Sequence, residues 1–163
     1  MRFRTEQQYP APIDQVLALY TDPTFYPTLS GLPKISAPEV VDHQRLGDQI
    51  RLSLRQRYTG DLPAAALTVI DPDKLSWVEQ LEFDLRGATA TSVLVPDHYA
   101  DRFQCSGRYR FTATSHGTTR ELAGEVKVRV LLVGGKVEGA LVSGLREHGE
   151  AEAAIVAARL SGS

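Results

Sequence analysis

The chain has 163 residues, enough for one domain with a real buried core, which we place over residues 1–163. Hydrophobic residues make up 42% and charged residues 23%, which is ordinary globular usage and excludes a disordered chain. A net charge of -2 leaves no basic excess to neutralise a phosphate backbone, so nucleic acid is not an expected partner.

The first predicted element is a strand over residues 2–9. Phe3, Thr5, Gln7 and Tyr9 alternate with Arg2, Arg4, Glu6 and Gln8, as a half-buried strand requires. Pro10 and Pro12 end it, and Pro12 suits the first turn of a helix. Ile13, Val16, Leu17 and Tyr20 recur at helical spacing until Asp22-Pro23 closes the helix. Phe25, Tyr26, Leu29 and Leu32, set among prolines, predict a second brief helix or an ordered loop. That cluster is either a lid over a pocket mouth or a plug sealing the sheet.

From residue 34 the hydrophobic period changes to two. Strands are predicted over about 34–45, 48–59, 64–71, 75–85, 88–96, 103–114 and 118–131. Gly47-Asp48, Gly60-Asp61, Asp71-Pro72-Asp73, Arg86-Gly87 and His116-Gly117 supply the turns. Such short turns make neighbouring strands antiparallel. Gly134-Gly135 ends the last strand, and a helix follows from Lys136 to Leu160. At 100° per residue, Val137, Leu141, Gly144, His148, Ala151, Glu152 and Ile155 gather on one side of it.

This pattern predicts an α+β fold. A long antiparallel sheet twists and curls, and only the C-terminal helix is long enough to cover its concave face. One helix cannot fill a wide curved sheet, so a space between them is expected.

Several stretches carry a resemblance. The opening strand is followed by Pro10-Ala11-Pro12-Ile13-Asp14-Gln15-Val16, and the element order resembles the START-related helix-grip (SRPBCC) superfamily. Tyr26-Pro27, Asp61-Leu62-Pro63, Pro96-Asp97-His98-Tyr99-Ala100-Asp101, Val133-Gly134-Gly135-Lys136-Val137-Glu138 and Gly144-Leu145-Arg146-Glu147-His148 resemble an uncharacterised actinobacterial family within it. The superfamily resemblance implies binding of a lipid, sterol, polyketide or hormone, in some members with cyclase, dehydratase or hydrolase chemistry. Fold alone does not settle which.

Strand alternation nominates the inward side chains. They are Ile50, Leu52, Leu54, Gln56 and Tyr58; Leu75, Trp77, Glu79, Leu81 and Phe83; Phe103, Cys105, Gly107, Tyr109 and Phe111; and Leu122, Gly124, Val126, Val128 and Val130. Arg51, Arg55, Arg57, Arg108, Arg110, Glu121, Glu125, Lys127 and Arg129 fall outside, as a solvated face with cross-strand ion pairs.

The candidate ligand-binding residues are Tyr58, Trp77, Glu79, Leu81, Tyr109, Phe111, Leu141, His148 and Ile155. Aromatic residues on such a face serve equally as solid core. Two polar residues favour a pocket. Glu79 is a carboxylate on an inward face, which needs a partner or water. His148 sits mid-helix where a plain core would place Leu or Ile, with Glu152 four residues on. Gly139, Gly144 and Gly149 weaken the same helix, leaving it either soft enough to admit ligand or packed closely on the sheet.

Catalytic motifs are absent: there is no His-Glu-x-x-His, Gly-x-Ser-x-Gly or Gly-x-Gly-x-x-Gly. Gly134-Gly135-Lys136 lacks the upstream glycine and the following Ser or Thr of a phosphate loop. Asp97, His98 and Asp101 suit backbone hydrogen bonding in a turn better than a metal. No cofactor or metal is expected. The single cysteine, Cys105, excludes an intrachain disulfide and reads as a small buried hydrophobe. The N-terminus has no apolar signal segment, and no run is long enough to span a bilayer, so the cytoplasm is the expected compartment.

Three functions compete. The first is a carrier or sensor for a small apolar ligand. The second is a cyclase or dehydratase using His148 and Glu79 as acid and base. The third is an interaction module with a filled core.

Overall fold

The structure is a computed structural model in which residues 1–162 are described. Strand β1 (Arg2–Tyr9) leads into helix α1 (Ile13–Tyr20). Pro12 precedes the helix in extended conformation, with φ at -59°. Val16, Leu17 and Tyr20 turn inward, and the Thr21 Oγ1 hydroxyl donates to the Leu17 carbonyl at 2.7 Å to finish the last turn. A single 3-10 turn, Tyr26–Thr28, follows.

Six further strands complete the sheet: β2 (Glu39–Leu46), β3 (Gln49–Arg57), β4 (Ser76–Asp84), β5 (Thr89–Pro96), β6 (Phe103–Thr114) and β7 (Gly117–Val128). Every pairing is antiparallel, in the order β1-β7-β6-β5-β4-β3-β2. Helix α2 (Gly134–Ser161) runs against β1 and β7. This is the predicted curved sheet gripping a long C-terminal helix.

Gly117 shows why the β6–β7 turn sits where it does. Its φ is 147°, and an added Cβ would lie 2.0 Å from the Tyr9 carbonyl oxygen. The end of β1 therefore passes directly over the turn, and Thr118 fixes it with a 2.8 Å hydrogen bond to the Ala11 carbonyl.

Register settles which side chains face inward. Leu54 pairs with Glu79, Leu81 with Ser92, Ala90 with Tyr109, Tyr109 with Leu122, Phe111 with Arg120 and Arg120 with Gln7. These rows are the predicted concave face. Outside, Arg51 pairs with Glu82 at 3.3 Å, both exposed, and exposed Arg4 with half-buried Glu121 at 3.6 Å, as the charge pattern required.

The structure departs from expectation at three places. The strand expected over 64–71 is a loop with a 3-10 turn at Ala66–Thr68. Three alanines after Pro63 have weak strand propensity. Their backbone is satisfied locally: Ala66 N donates to Pro63 O and Ile70 N to Ala66 O, both at 2.8 Å. Burial there has a period of four, with Ala66 and Ile70 inside and Leu67 and Val69 out. Residues 34–38 contribute only an Ile35–Tyr58 bridge, because Lys34 takes a left-handed φ of 69°. Beyond Val128 the chain leaves the sheet, and Leu132 takes the same φ of 69° before α2 begins.

Candidate functional site

A cavity of about 90 Å³ lies between the concave face and α2. At roughly 10–15 Å³ per water it has room for several. Leu54, Trp77, Leu81, Phe83, Leu94 and Leu122 supply apolar wall, and Tyr20, Tyr26 and Tyr109 supply aromatic wall. Its polar lining is denser than the sequence suggested: Gln7, Gln56, Glu79, Arg120, His148 and Glu152 all face it.

Arg120 is the centre of that lining. It occupies an inward position of β7, between Thr118 and Leu122 on the same face. Its Nη1 donates to Glu152 Oε1 and to the Tyr20 hydroxyl, each at 3.2 Å. The guanidinium is sandwiched between aromatic rings, with Cζ 4.1 Å from the Tyr20 centroid and 4.3 Å from that of Tyr109. The side chains of Arg120 and Glu152 are only 11% and 14% exposed. Burial opposes the charge on Arg120, and the acidic groups around it, Glu152 among them, hold the proton in place.

Glu152 joins both halves of the site. Oε1 accepts from Arg120 and from the Tyr20 hydroxyl at 3.2 Å, which leaves Tyr9 as donor in the 2.6 Å Tyr9–Tyr20 contact. Oε2 lies 3.7 Å from His148 Nε2, the predicted neighbour one helical turn away. His148 Nδ1 is 3.1 Å from the Pro33 carbonyl oxygen. A carbonyl only accepts, so Nδ1 carries the proton and Nε2 faces Glu152.

Glu79 stands apart from this network. Its Oε1 accepts from Ser92 Oγ at 2.6 Å. Burial pushes its carboxyl above the ordinary glutamate value, and the Ser92 hydrogen bond only partly offsets this. Oε2 has no partner among the described residues, and neither do the side-chain amides of Gln7 and Gln56 or the Tyr109 hydroxyl. Burial also raises the phenols of Tyr20, Tyr26 and Tyr109 well above their ordinary value, so they act as neutral donors.

Of the predicted site residues, Trp77, Glu79, Leu81, Tyr109 and His148 line the cavity together. Tyr58 does not. Its ring lies against α2, where a Cβ on Gly144 would come within 2.8 Å of Tyr58 Cε2, and its hydroxyl donates to the Ala140 carbonyl at 3.3 Å. Gly144 is therefore a close-packing glycine. Leu141 is buried in the same core cluster as Tyr58. Phe111 packs on Tyr20, with centroids 6.0 Å apart, and Ile155 backs the core at the α1 end. Phe25 and Leu29 are buried in that core while Tyr26 reaches the cavity, so this segment is a plug. Cys105 is buried and its thiol is pushed up to about 12. Asp97 is bound by Arg55 Nη1 at 2.8 Å and Ser76 Oγ at 2.7 Å.

Sequence reasoning missed Arg120. The signal was present: Arg120 shares the even-numbered parity of Leu122, Gly124 and Val126, two residues before the inward series was begun.

Comparison with known proteins agrees with this architecture. A search of curated proteins finds no match. Among solved structures, the chain is similar to the ZhuI aromatase/cyclase from Streptomyces sp. R1128, at 15% identity and a TM-score of 0.68, covering 99% of this chain and 93% of that one. It is similar to a START superfamily protein from Mycobacterium smegmatis, at 14% identity and a TM-score of 0.58, covering 99% and 97%. It is also similar to norcoclaurine synthase from Thalictrum flavum, at 16% identity and a TM-score of 0.62, covering 96% and 86%. At such identities the likeness concerns the fold. Residues 4–160 match a family described as a protein of unknown function, DUF2505. The chain belongs to that DUF2505 family, and its fold is the START-related helix-grip fold.

Proposed function

We propose that the chain binds a small, largely apolar molecule, lipid-like or aromatic, in the cavity between the sheet and α2. The observation that carries this reading is the set of polar groups that, among the described residues, line the cavity without a protein partner: the amides of Gln7 and Gln56, the Tyr109 hydroxyl and Glu79 Oε2. These atoms are open to the cavity rather than sealed in packing, and a filled core would have removed them or satisfied them. Around them Trp77, Leu81, Phe83 and Leu94 offer the apolar wall typical of ligand pockets.

Gly149 provides the test. It lines the cavity from α2, and an added Cβ meets only Gln7 Nε2 at 3.5 Å. Gly149→Leu would grow into the space while improving the helix by about 1 kcal/mol in propensity. Thermal-shift screening against neutral aromatics, fatty acids and sterols should give hits with the wild type that Gly149→Leu loses while staying folded. Hits unaffected by Gly149→Leu would remove the cavity from the account.

An enzyme working in the same cavity is the second reading. Glu79, held toward its acid form, favours it, because a carboxylic acid lining a cavity suits general acid catalysis. The names of two structural neighbours, an aromatase/cyclase and a synthase, point the same way. Turnover of a cyclisable carbonyl compound that survives both Glu79→Gln and His148→Ala would dismiss it.

A further inference from the structure

The hydrogen bonding of Arg120 is lopsided. Nη1 makes both of its hydrogen bonds, one to Glu152 and one to Tyr20. Nη2 makes none among the described residues, and Nε is the single buried side-chain nitrogen or oxygen there without any partner. Of these two donors Nε is sealed by its surroundings, while Nη2 is open and is the unused donor that the guanidinium presents on the cavity wall. A buried arginine in a protein that needed it only for structure would have that donor paired, since an unmet charged donor is costly.

We infer that this free donor of Arg120 is the recognition point for the ligand, and that it takes a neutral oxygen acceptor, a carbonyl or hydroxyl, rather than a carboxylate. This deepens the proposed function and rests on it. The charge count decides the class. Among the described residues Arg120 is the one arginine or lysine lining the cavity, and it is already paired with Glu152 at 3.2 Å; Glu152 also faces His148, and Glu79 is a second carboxyl lining the same space. A ligand carboxylate would add an unbalanced negative charge to an enclosed site, and burying an unpaired ion costs several kcal/mol. A carbonyl oxygen satisfies Nη2 without that cost. The two tyrosine rings at 4.1 and 4.3 Å hold the guanidinium in place, so the acceptor meets a fixed donor.

Acetophenone, ethylbenzene and benzoate share a ring and differ in the group presented to Arg120. Calorimetric titration of the full chain at neutral pH should rank acetophenone about tenfold tighter than ethylbenzene, with benzoate weakest. In the paired variant Arg120→Met/Glu152→Leu, which leaves no lone buried charge, ethylbenzene should bind at least as well as acetophenone. Equal wild-type affinity for acetophenone and ethylbenzene would overturn the inference while leaving the cavity as a binding site. Benzoate binding tightest would overturn it in favour of an anionic ligand. Failure of all three to bind would defeat the cavity reading itself, and this inference with it.

Discussion

Glu152→Gln removes one charge from a buried pair and almost nothing else. The amide oxygen can still accept from Arg120 Nη1 and from the Tyr20 hydroxyl, both 3.2 Å away. What it cannot do is balance a guanidinium that is 11% exposed. Breaking a buried pair from one side typically costs about 3–5 kcal/mol. Water in the neighbouring cavity softens the field, so the low end, about 3 kcal/mol, applies here. For a chain of this length each kcal/mol lowers Tm by about 2–4 °C, so the variant should melt roughly 6–12 °C below the wild type. The chain has one tryptophan, Trp77, buried on the cavity wall, so urea titration followed by its fluorescence gives the stability change directly. Arg120→Met/Glu152→Leu should return to within about 2 kcal/mol of the wild type, because the pair as a whole is close to neutral against an apolar replacement. A loss below about 1 kcal/mol for Glu152→Gln would mean that the pair behaves as a surface contact, and the argument from burial would fail.

Other consequences follow from single groups. Burial raises the folded-state pKa of Glu79 above its ordinary 4.5, so the folded chain binds that proton more tightly than the unfolded one. The stability of the wild type relative to Glu79→Gln should therefore be greatest below pH 4.5 and fall as pH rises through the elevated value; a difference independent of pH would contradict this. Cys105, with its thiol pushed up to about 12, should resist disulfide reagents at pH 8 in the folded chain and react promptly in denaturant; prompt labelling of the native chain would be the opposing result. Gly139→Ala should stabilise α2 by about 0.5–1 kcal/mol, since the nearest atom to the new Cβ is Met1 Cε at 3.8 Å. Gly144→Ala should destabilise by about 1–3 kcal/mol through its 2.8 Å clash with Tyr58, and melting curves that moved alike would contradict the packing assigned to that ring.

The fold was legible because its signal is periodic. Alternation placed Ile50, Trp77, Tyr109 and Val126 on one face, and the registers keep them there. Where period and composition pointed apart, at 64–71, the apolar run gave a strand, but alanine-rich chain after a proline closes its hydrogen bonds locally. The candidate site was half legible. His148 and Glu79 stood out as polar residues at core positions. Tyr58 and Phe111 have the right parity but lie toward the ends of the sheet, and parity carries no information about position along a curved surface. Arg120 was hidden for a different reason. It sits among Thr118, Thr119 and Glu121, where arginine reads as one more solvated charge, and only the sheet register with Phe111 and Gln7 turns it inward. Its partner, Glu152, is 32 residues away, a distance no local pattern can bridge.

The central claim is that ligand enters between the sheet and α2. Amide and indole chemical shifts of the labelled chain, followed during titration with the tightest compound from the thermal-shift panel, test it most directly. The account predicts movements at the Trp77 indole, Gly149, Glu152 and Arg120, with Arg51, Arg108 and Arg110 on the outer face unchanged. Movements confined to that outer face would contradict it.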